Sequence, residues 1–339
     1  MSMPRWKKRP AGANWGDFGA DDQIGRLNLL TPERVKRAAA EVREGRTFCL
    51  SLPLDYPGGQ ALAPHRFPPK LQPTVRHGRT YFNYAFTNEG AQYSDCGCDD
   101  AVLLCTQYST QWDSLAHIGQ AFDADDDGVA EFVYYNGYRA GIDVRQPEAR
   151  VEGDGGAALG IENMASTCVQ GRGVMVDLER RFGRARYLVG YDDLMRIIEA
   201  DSVEVEEGDI LCLHTGFAAA VLQMNRTPDP AVLHDLCCAL DGADQRLLQW
   251  ITDSGVAAIA ADNYAVEAIP ARGGEGPRPF VPLHAHCLFK LGVHLGELWH
   301  LSELNAWLRT HGRSRFLLTA PPLRLSGAVG SPVTPVATV

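Results

Sequence analysis

The stretch "GDILCLHTG", residues 208–216, is an apolar run of strand length that is opened by a glycine. Two other runs have the same form, "GRGVMVDL" at 171–178 and "GVAAIAAD" at 255–262. The segments between them include "GYDDLMRIIEA" and "DQRLLQWITDSG", which have the periodicity of amphipathic helices. Short apolar strands that alternate with amphipathic helices are typical of α/β proteins. The sequence therefore predicts an α/β fold.

Outward from these strands, the segment 31–45, "TPERVKRAAAEVREG", carries the signals of a helix that a strand follows. Thr31 is a good N-cap, a proline stands at the first helical position, and a glycine closes the segment. Two segments rich in proline and glycine, 56–73 and 270–279, predict ordered surface loops. We expect residues 1–14 to be flexible and residues 15–339 to form a single domain.

Composition narrows the classes of function. The 339 residues carry a formal net charge of −10, so no overall electrostatic attraction to nucleic acid or to anionic lipid is expected. No apolar run approaches the roughly 20 residues of a membrane span, and the basic N-terminus lacks the features of a secretory signal. The nine cysteines are scattered among apolar segments and predict reduced thiols. We expect a cytoplasmic protein that binds a small molecule.

Several common motifs are incomplete or absent in the sequence. The acidic segment 123–134, "DADDDGVAEFVY", begins like a calcium loop, but Tyr134 stands where a bidentate glutamate is required. We interpret it as a solvated acidic hairpin. The sequence contains no dinucleotide-binding glycine motif, no phosphate-binding loop, no H-E-x-x-H and no G-x-S-x-G.

Polar residues with the chemistry of a site are concentrated in two segments. The first is "CTQYSTQWDSLAH", residues 105–117. The second is "PLHAHCLFKLGVHLGELWHLSEL", residues 282–304, which contains four histidines and Glu297. Any one histidine is most often an ordinary hydrogen-bonded side chain, but imidazoles and carboxylates clustered in apolar segments point to a catalytic or metal centre.

These segments, in their order along the chain, resemble the cyclase-like family of metal-dependent hydrolases, which includes bacterial kynurenine formamidase and isatin hydrolase. The similar segments run from "NWGDFGADDQIGRLNLLTPERV" through "TQYSTQWDSLAH" and "ADNYAVEAIP" to "PLHAHCLFKLGVHLGELW". The resemblance implies a swivelling β/β/α domain with a mixed sheet and flanking helices. It also implies a homodimer or homotetramer, with an N-terminal arm of about residues 15–60.

The family's central motif is H-x-G-T-H-x-D-x-P-x-H. Its aspartate matches Asp113 and its last histidine, a catalytic acid/base, matches His117, whereas its two metal-binding histidines match Gln107 and Gln111. Glutamine offers an oxygen in place of a nitrogen, so the substitution shifts the expected preference from zinc toward manganese, magnesium or calcium.

A second set of ligands in the family matches Glu297 and either His284 or His286, of which we favour His284. The resemblance thus implies a divalent ion, manganese or zinc, bound by residues drawn from Asp113, His284, Glu297, Gln107 and Gln111. His117 and Glu297 are the implied catalytic residues. Candidates for substrate contact are Trp15, Trp112, Tyr135, Asn136 and Asn263.

The implied reaction is hydrolysis of a cyclic amide, a lactone or an arylformamide, in which the ion activates water and His117 transfers the proton. Two other functions remain open at this point. If the glutamines abolish metal binding, the protein could be a lyase or isomerase that uses His117 and Glu297 as acid and base. It could also be a binding protein without catalytic activity on the same scaffold.

Overall fold

The structure, a computed structural model, describes residues 4–149, 158–274 and 276–339. Its strands, in chain order, are β1 (Thr47–Cys49), β2 (Lys70–Arg76), β3 (Arg79–Tyr81), β4 (Tyr84–Ala85), β5 (Cys96–Gly97), β6 (Asp100–Leu103), β7 (Gln111–Asp113), β8 (Gln120–Phe122), β9 (Glu131–Val133), β10 (Gln170–Asp177), β11 (Tyr187–Val189), β12 (Ile210–His214), β13 (Cys238–Leu240), β14 (Ala258–Ala261), β15 (His294–Glu297), β16 (Arg315–Thr319), β17 (Gly330–Pro332) and β18 (Val336–Thr338).

The α-helices are α1 (Pro32–Ala39), α2 (Ile161–Ser166), α3 (Glu179–Phe182), α4 (Tyr191–Ala200), α5 (Phe217–Gln223), α6 (Pro230–His234), α7 (Gln245–Ser254), α8 (Pro282–His284) and α9 (Ser302–Thr310). A π-helix, Ala285–Leu291, continues α8. Short 3₁₀ turns lie at Gly25–Leu29, Phe86–Asn88, Tyr135–Gly137 and Pro147–Ala149. No helix in the described ranges is both long enough and apolar enough to cross a membrane.

A nine-stranded mixed sheet organises the domain, in the order β1-β18-β16-β10-β12-β14-β15-β7-β17. The four neighbouring strands β10, β12, β14 and β15 are parallel, and the remaining pairings are antiparallel. Three of the parallel strands are the apolar runs that predicted an α/β fold. The prediction of a mixed sheet with flanking helices is confirmed.

Both faces of the central sheet are buried. Along β12, Leu211 and Leu213 belong to one apolar core and Ile210 and Cys212 to another, because successive side chains point to opposite faces. Helices α4 and α7 and the π-helix pack on the first face, and α2 and α9 pack on the second. Burial on both faces explains why these strands are continuous apolar runs with no polar alternation.

Polar residues enter this core where the parallel strands end. Asp177, His214 and Glu297 are the last residues of β10, β12 and β15, and Asp262 directly follows β14. All four are buried. Binding sites of open α/β sheets lie at the carboxyl ends of their strands, so this edge is where a site is expected.

The N-terminal segment packs against the domain over its described part, residues 4–14. Trp6 makes an edge contact with Trp15, with ring centroids 5.8 Å apart, and Asn14 donates a hydrogen bond to the Leu291 carbonyl. Arg5 also donates a hydrogen bond to the Ala20 carbonyl, and residues 1–3 of the segment predicted to be flexible lie outside the described residues. Helix α1 begins after Thr31, as predicted, but it ends at Ala39 and not at the predicted glycine. After the helix the chain turns, and the backbone N–H of Gly45 donates a hydrogen bond to the Val339 carbonyl.

His294, in β15, makes the stability of the fold depend on pH. Burial lowers its pKa to about 3, and its Nδ1 has no hydrogen-bond partner among the residues that the structure describes. In the unfolded chain this imidazole takes up a proton near pH 6.5, whereas in the folded chain it stays neutral down to about pH 3. The contribution of His294 to the free energy of unfolding is therefore complete above about pH 6.5 and falls as the pH drops toward 3. Between pH 7 and pH 5, the free energy of unfolding of the wild type should fall by about 2 kcal/mol more than that of His294→Leu.

Urea unfolding at a series of pH values measures this slope, and His65→Leu, at an exposed loop position, is the matched control. Equal slopes in the wild type and His294→Leu would contradict the assignment.

Candidate active site

Asp113, His284 and Glu297 converge at the sheet edge, although 184 positions separate the first from the last. Each offers one ligand atom that lies within 4.8 Å of the others, and all three are buried. His284 Nε2 is 3.2 Å from Glu297 Oε1 and 4.0 Å from Asp113 Oδ2. The structure therefore brings together three of the five residues that the family resemblance implied as metal ligands.

Strand pairing places the two carboxylates. Strand β7 runs antiparallel to β15, with Gln111 opposite Glu297 in the register. Gln111 and Asp113 point to the same face because side chains alternate along a strand. The amide Nε2 of Gln111 donates a 2.9 Å hydrogen bond to Glu297 Oε2, which fixes that carboxylate from the neighbouring strand.

Glu267, which the sequence analysis left without a role, positions His284. Its carboxylate accepts hydrogen bonds from the backbone N–H groups of Leu283 and His284, so it caps the short helix α8. Its Oε1 is also 2.7 Å from His284 Nδ1, which leaves Nε2 facing Asp113 and Glu297. A carboxylate behind a ligating histidine fixes its orientation and makes it a stronger ligand.

Asn263 holds the backbone beside both glutamates. Val266 precedes Glu267 and Leu298 follows Glu297, and both have left-handed backbones with φ of 58° and 55°. The Asn263 side chain accepts a hydrogen bond from Val266 N–H, and its backbone carbonyl accepts one from Leu298 N–H. Asn263 was predicted to contact substrate, but it is buried and supports these two strained residues instead.

His117 lies beside the three converging residues and reaches the adjacent cavity. Its Nε2 is 3.8 Å from Asp113 Oδ1, and its ring centroid is 6.4 Å from that of His284. Its Nδ1 is 3.4 Å from Gln107 Nε2. Burial lowers the pKa of His117, so its imidazole is neutral at pH 7 and able to accept a proton.

The side-chain amide of Gln107 can hydrogen-bond to His117 Nδ1 in either tautomer of the imidazole. Its Oε1 accepts a hydrogen bond from the Thr106 hydroxyl while its Nε2 faces His117. Since a hydroxyl both donates and accepts, a half-turn of the amide keeps both contacts and reverses their direction. Gln107 therefore contacts the acid/base candidate, whereas Gln111 contacts Glu297.

The electrostatics of the three converging residues fit a bound cation. Both oxygens of Asp113 and the Oε1 of Gln111 are buried without a hydrogen-bond partner in the described chain. Burial raises the pKa of Asp113 to about 6. Burial would lower the pKa of His284, but its hydrogen bonds to Glu267 and Glu297 outweigh this effect and raise that pKa to about 10. A divalent cation would satisfy the unpaired oxygens and replace the proton on His284.

His286, the alternative ligand, faces away from this group. Its Nε2 is 2.9 Å from the Thr252 hydroxyl, and burial lowers its pKa to about 4. The second acidic cluster, Asp123, Asp125 and Glu131, lies in the predicted hairpin. Arg139 pairs with two of its carboxylates, which agrees with the interpretation of a charged hairpin.

A cavity of about 510 Å³ opens onto His117, His284 and Glu297. This volume is within the range of about 300–1,000 Å³ that is typical of small-molecule sites. The first loop rich in proline and glycine, residues 56–73, was predicted to lie on the surface and supplies much of its wall. Of the second loop, 270–279, whose residue 275 lies outside the described residues, only the flanking residues Ile269 and Phe280 line the cavity in the described part. The apolar side chains that line the cavity include Leu62, Tyr108, Ile118, Tyr264, Ile269 and Phe280.

The other residues predicted to contact substrate do not line this cavity. Trp112 is fully buried on the opposite face of β7, where it packs on Trp299 and donates to the Ala320 carbonyl. Trp15 is buried and its indole N–H donates a hydrogen bond to the carbonyl of Phe289, which lies within the π-helix. Tyr135 is buried against Gly292. The Asn136 side chain forms hydrogen bonds with the backbone of the N-terminal arm at Gly16, Gly19, Ala20 and Asp22. These four residues therefore stabilise the fold.

Comparison with known proteins places the chain. A family model described as "Putative cyclase" matches residues 23–268. The chain belongs to this cyclase family. A solved structure described as a novel cyclase is 33% identical, with a TM-score of 0.74, over 96% of this chain and 97% of that chain.

Two isatin hydrolases have the same fold as this cyclase-family chain. Isatin hydrolase A from Ralstonia solanacearum is 14% identical with a TM-score of 0.54, covering 86% of this chain and 91% of that one. Isatin hydrolase A from Labrenzia aggregata is 13% identical with a TM-score of 0.56, covering 89% and 95%. Among curated proteins, none matches the sequence.

Proposed function

We propose that the protein is a metal-dependent hydrolase that cleaves a cyclic amide, a lactone or an arylformamide. The observation that carries the proposal is the convergence of Asp113, His284 and Glu297, with unpaired buried oxygens, beside His117 and an apolar cavity. The likeness of the fold to the isatin hydrolases supports this class of reaction. Hydrolysis adds water across the carbonyl–nitrogen or carbonyl–oxygen bond and yields an acid and an amine or alcohol.

Each residue of the site has a task in this reaction. Asp113, His284 and Glu297 would hold a divalent ion, which polarises a carbonyl group and makes water more acidic. His117 is neutral and accepts a proton from the attacking water, then returns it to the leaving nitrogen or oxygen. Glu267 keeps the His284 ring in place, and the apolar walls exclude bulk water.

The ion should be one that prefers oxygen ligands. Two carboxylates and the imidazole of His284 form this group. The Oε1 of Gln111 adds a buried oxygen without a hydrogen-bond partner in the described chain. We expect manganese to restore activity to the chelated enzyme at least as well as zinc, because glutamines replace the histidines of the family motif. Activity assays of chelated protein with each ion added back measure this preference.

Gln111→His provides the matched variant, since it restores a nitrogen donor beside Glu297. It should shift the preference toward zinc. Strict zinc dependence of the wild type, with stoichiometric zinc as isolated, would contradict the prediction.

A further inference from the structure

Arg66 is the one arginine or lysine among the described residues that line the cavity. It is half-buried in the first loop, and its Nη1 donates a 2.6 Å hydrogen bond to the Gln107 backbone carbonyl. In the described ranges, no acidic side chain forms an ion pair with it. Because Arg66 is a permanent cation that faces the cavity with no described carboxylate at ion-pair distance, it can bind an anion.

Among the described residues, Arg66 forms no hydrogen bond or ion pair with Asp113 or His117, although its charge interacts electrostatically with both. Gln107 links the two regions, since its carbonyl holds Arg66 and its side chain contacts His117. An anion on Arg66 would therefore lie next to the catalytic centre, outside the group formed by Asp113, His284 and Glu297.

We propose that the substrate carries a carboxylate, distinct from the bond that is cleaved, and that Arg66 binds it. This inference rests on the hydrolase proposed above and narrows its substrate class. A single guanidinium, with no lysine or second arginine among the described residues that line the cavity, matches the one charge of a carboxylate better than the double charge of a phosphate monoester. The apolar walls fit a rigid apolar body between the carboxylate and the scissile carbonyl.

This role has a kinetic signature. A carboxylate on Arg66 is bound equally in the ground state and in the transition state, so its loss should raise KM and leave kcat nearly unchanged. If Arg66 instead stabilised charge that develops on the carbonyl, its removal would lower kcat. If Arg66 only held the loop in place through its hydrogen bond to Gln107, its removal would impair the hydrolysis of acidic and neutral substrates equally.

The test uses the manganese-loaded full chain and paired probes: the ortho, meta and para isomers of formamidobenzoate and the corresponding neutral formamidobenzamides. Both hydrolysis and binding by calorimetry are measured, for the wild type, Arg66→Met and Arg66→Lys. Arg226→Met is the matched control, because Arg226 pairs with Asp55 just before the same loop but does not line the cavity.

We expect at least one acid to be preferred over its amide by about 10- to 100-fold in kcat/KM and in affinity. Arg66→Met should abolish the preference, Arg66→Lys should keep part of it, and Arg226→Met should keep all of it. Equal use of acids and amides by the wild type, binding of no acid, or a preference that survives in Arg66→Met would overturn the proposal.

Binding separates this inference from the hydrolase proposal. Acid-selective binding that depends on Arg66, without hydrolysis, would retain the carboxylate site and reject the reaction. Hydrolysis of acids and amides alike would retain the reaction and reject the carboxylate site.

Discussion

Replacing His117 with asparagine is expected to lower turnover by about 10²- to 10⁴-fold while folding and metal content stay near wild type. Asparagine removes the proton acceptor that lies 3.8 Å from Asp113 but keeps a polar side chain next to Gln107. Steady-state kinetics, metal analysis and a melting curve on the same preparation measure all three quantities.

The opposite pattern would assign His117 a structural role. In that case His117→Asn would be about 1 to 3 kcal/mol less stable, with full activity per folded molecule. Such a mutant would remove His117 from the catalytic residues.

Replacing Asp113 with asparagine is expected to abolish metal binding and metal-dependent hydrolysis without destabilising the metal-free protein. Burial raises the pKa of Asp113 to about 6, above its unfolded value near 4. The stability that this group contributes in its protonated form is complete below about pH 4 and lost as the pH rises through 6, so at pH 7 the ionised carboxylate costs up to about 3 kcal/mol. The amide removes that charge.

Melting curves with chelator and with manganese measure both effects, the stability of the metal-free protein and its stabilisation by the ion. Manganese should raise the Tm of the wild type, because it binds the folded state, and leave Asp113→Asn unchanged. Asp262→Asn is the matched control: Asp262 is buried at the same sheet edge, but Thr215 and Gly216 donate hydrogen bonds to its oxygens. It should melt lower than wild type with and without manganese. A manganese-dependent rise in Tm of Asp113→Asn would contradict the assignment.

The sequence allowed the central sheet and the polar centre to be predicted for a common physical reason. Strands buried on both faces are apolar runs such as residues 208–216, and a carboxylate or imidazole inside such surroundings needs a function. The segments that contain Asp113 and Glu297 were singled out in this way, and the family resemblance then implied that the two residues are ligands. Their convergence was carried by the family resemblance, because spacing alone does not fix which strands become neighbours.

The cavity walls could not be predicted in the same way, because loop conformation decides them. The first loop supplies Leu62 and Arg66 to the cavity, but its prolines and glycines indicated only an ordered surface loop. The position of Trp112 could have been predicted from the alternation of side chains along a strand. Side chains alternate along β7, so a strand that points Gln111 and Asp113 at the site must turn Trp112 away from it.

Glu267 illustrates the remaining difficulty. It ends the segment "ADNYAVE", and nothing in that segment distinguishes it from other polar residues. Its role depends on Leu283 of α8, 16 positions later, lying against it. No local pattern links a glutamate to the helix that it caps from a distant loop.

The central claim is that Asp113, His284 and Glu297 together bind one divalent ion, and anomalous diffraction tests it most directly. Crystals of untagged protein grown with manganese are measured above and below the manganese absorption edge. We predict one strong anomalous peak per chain, about 2.0–2.6 Å from ligand atoms of all three residues. A map without a peak among these residues, from protein saturated with manganese, would contradict the claim.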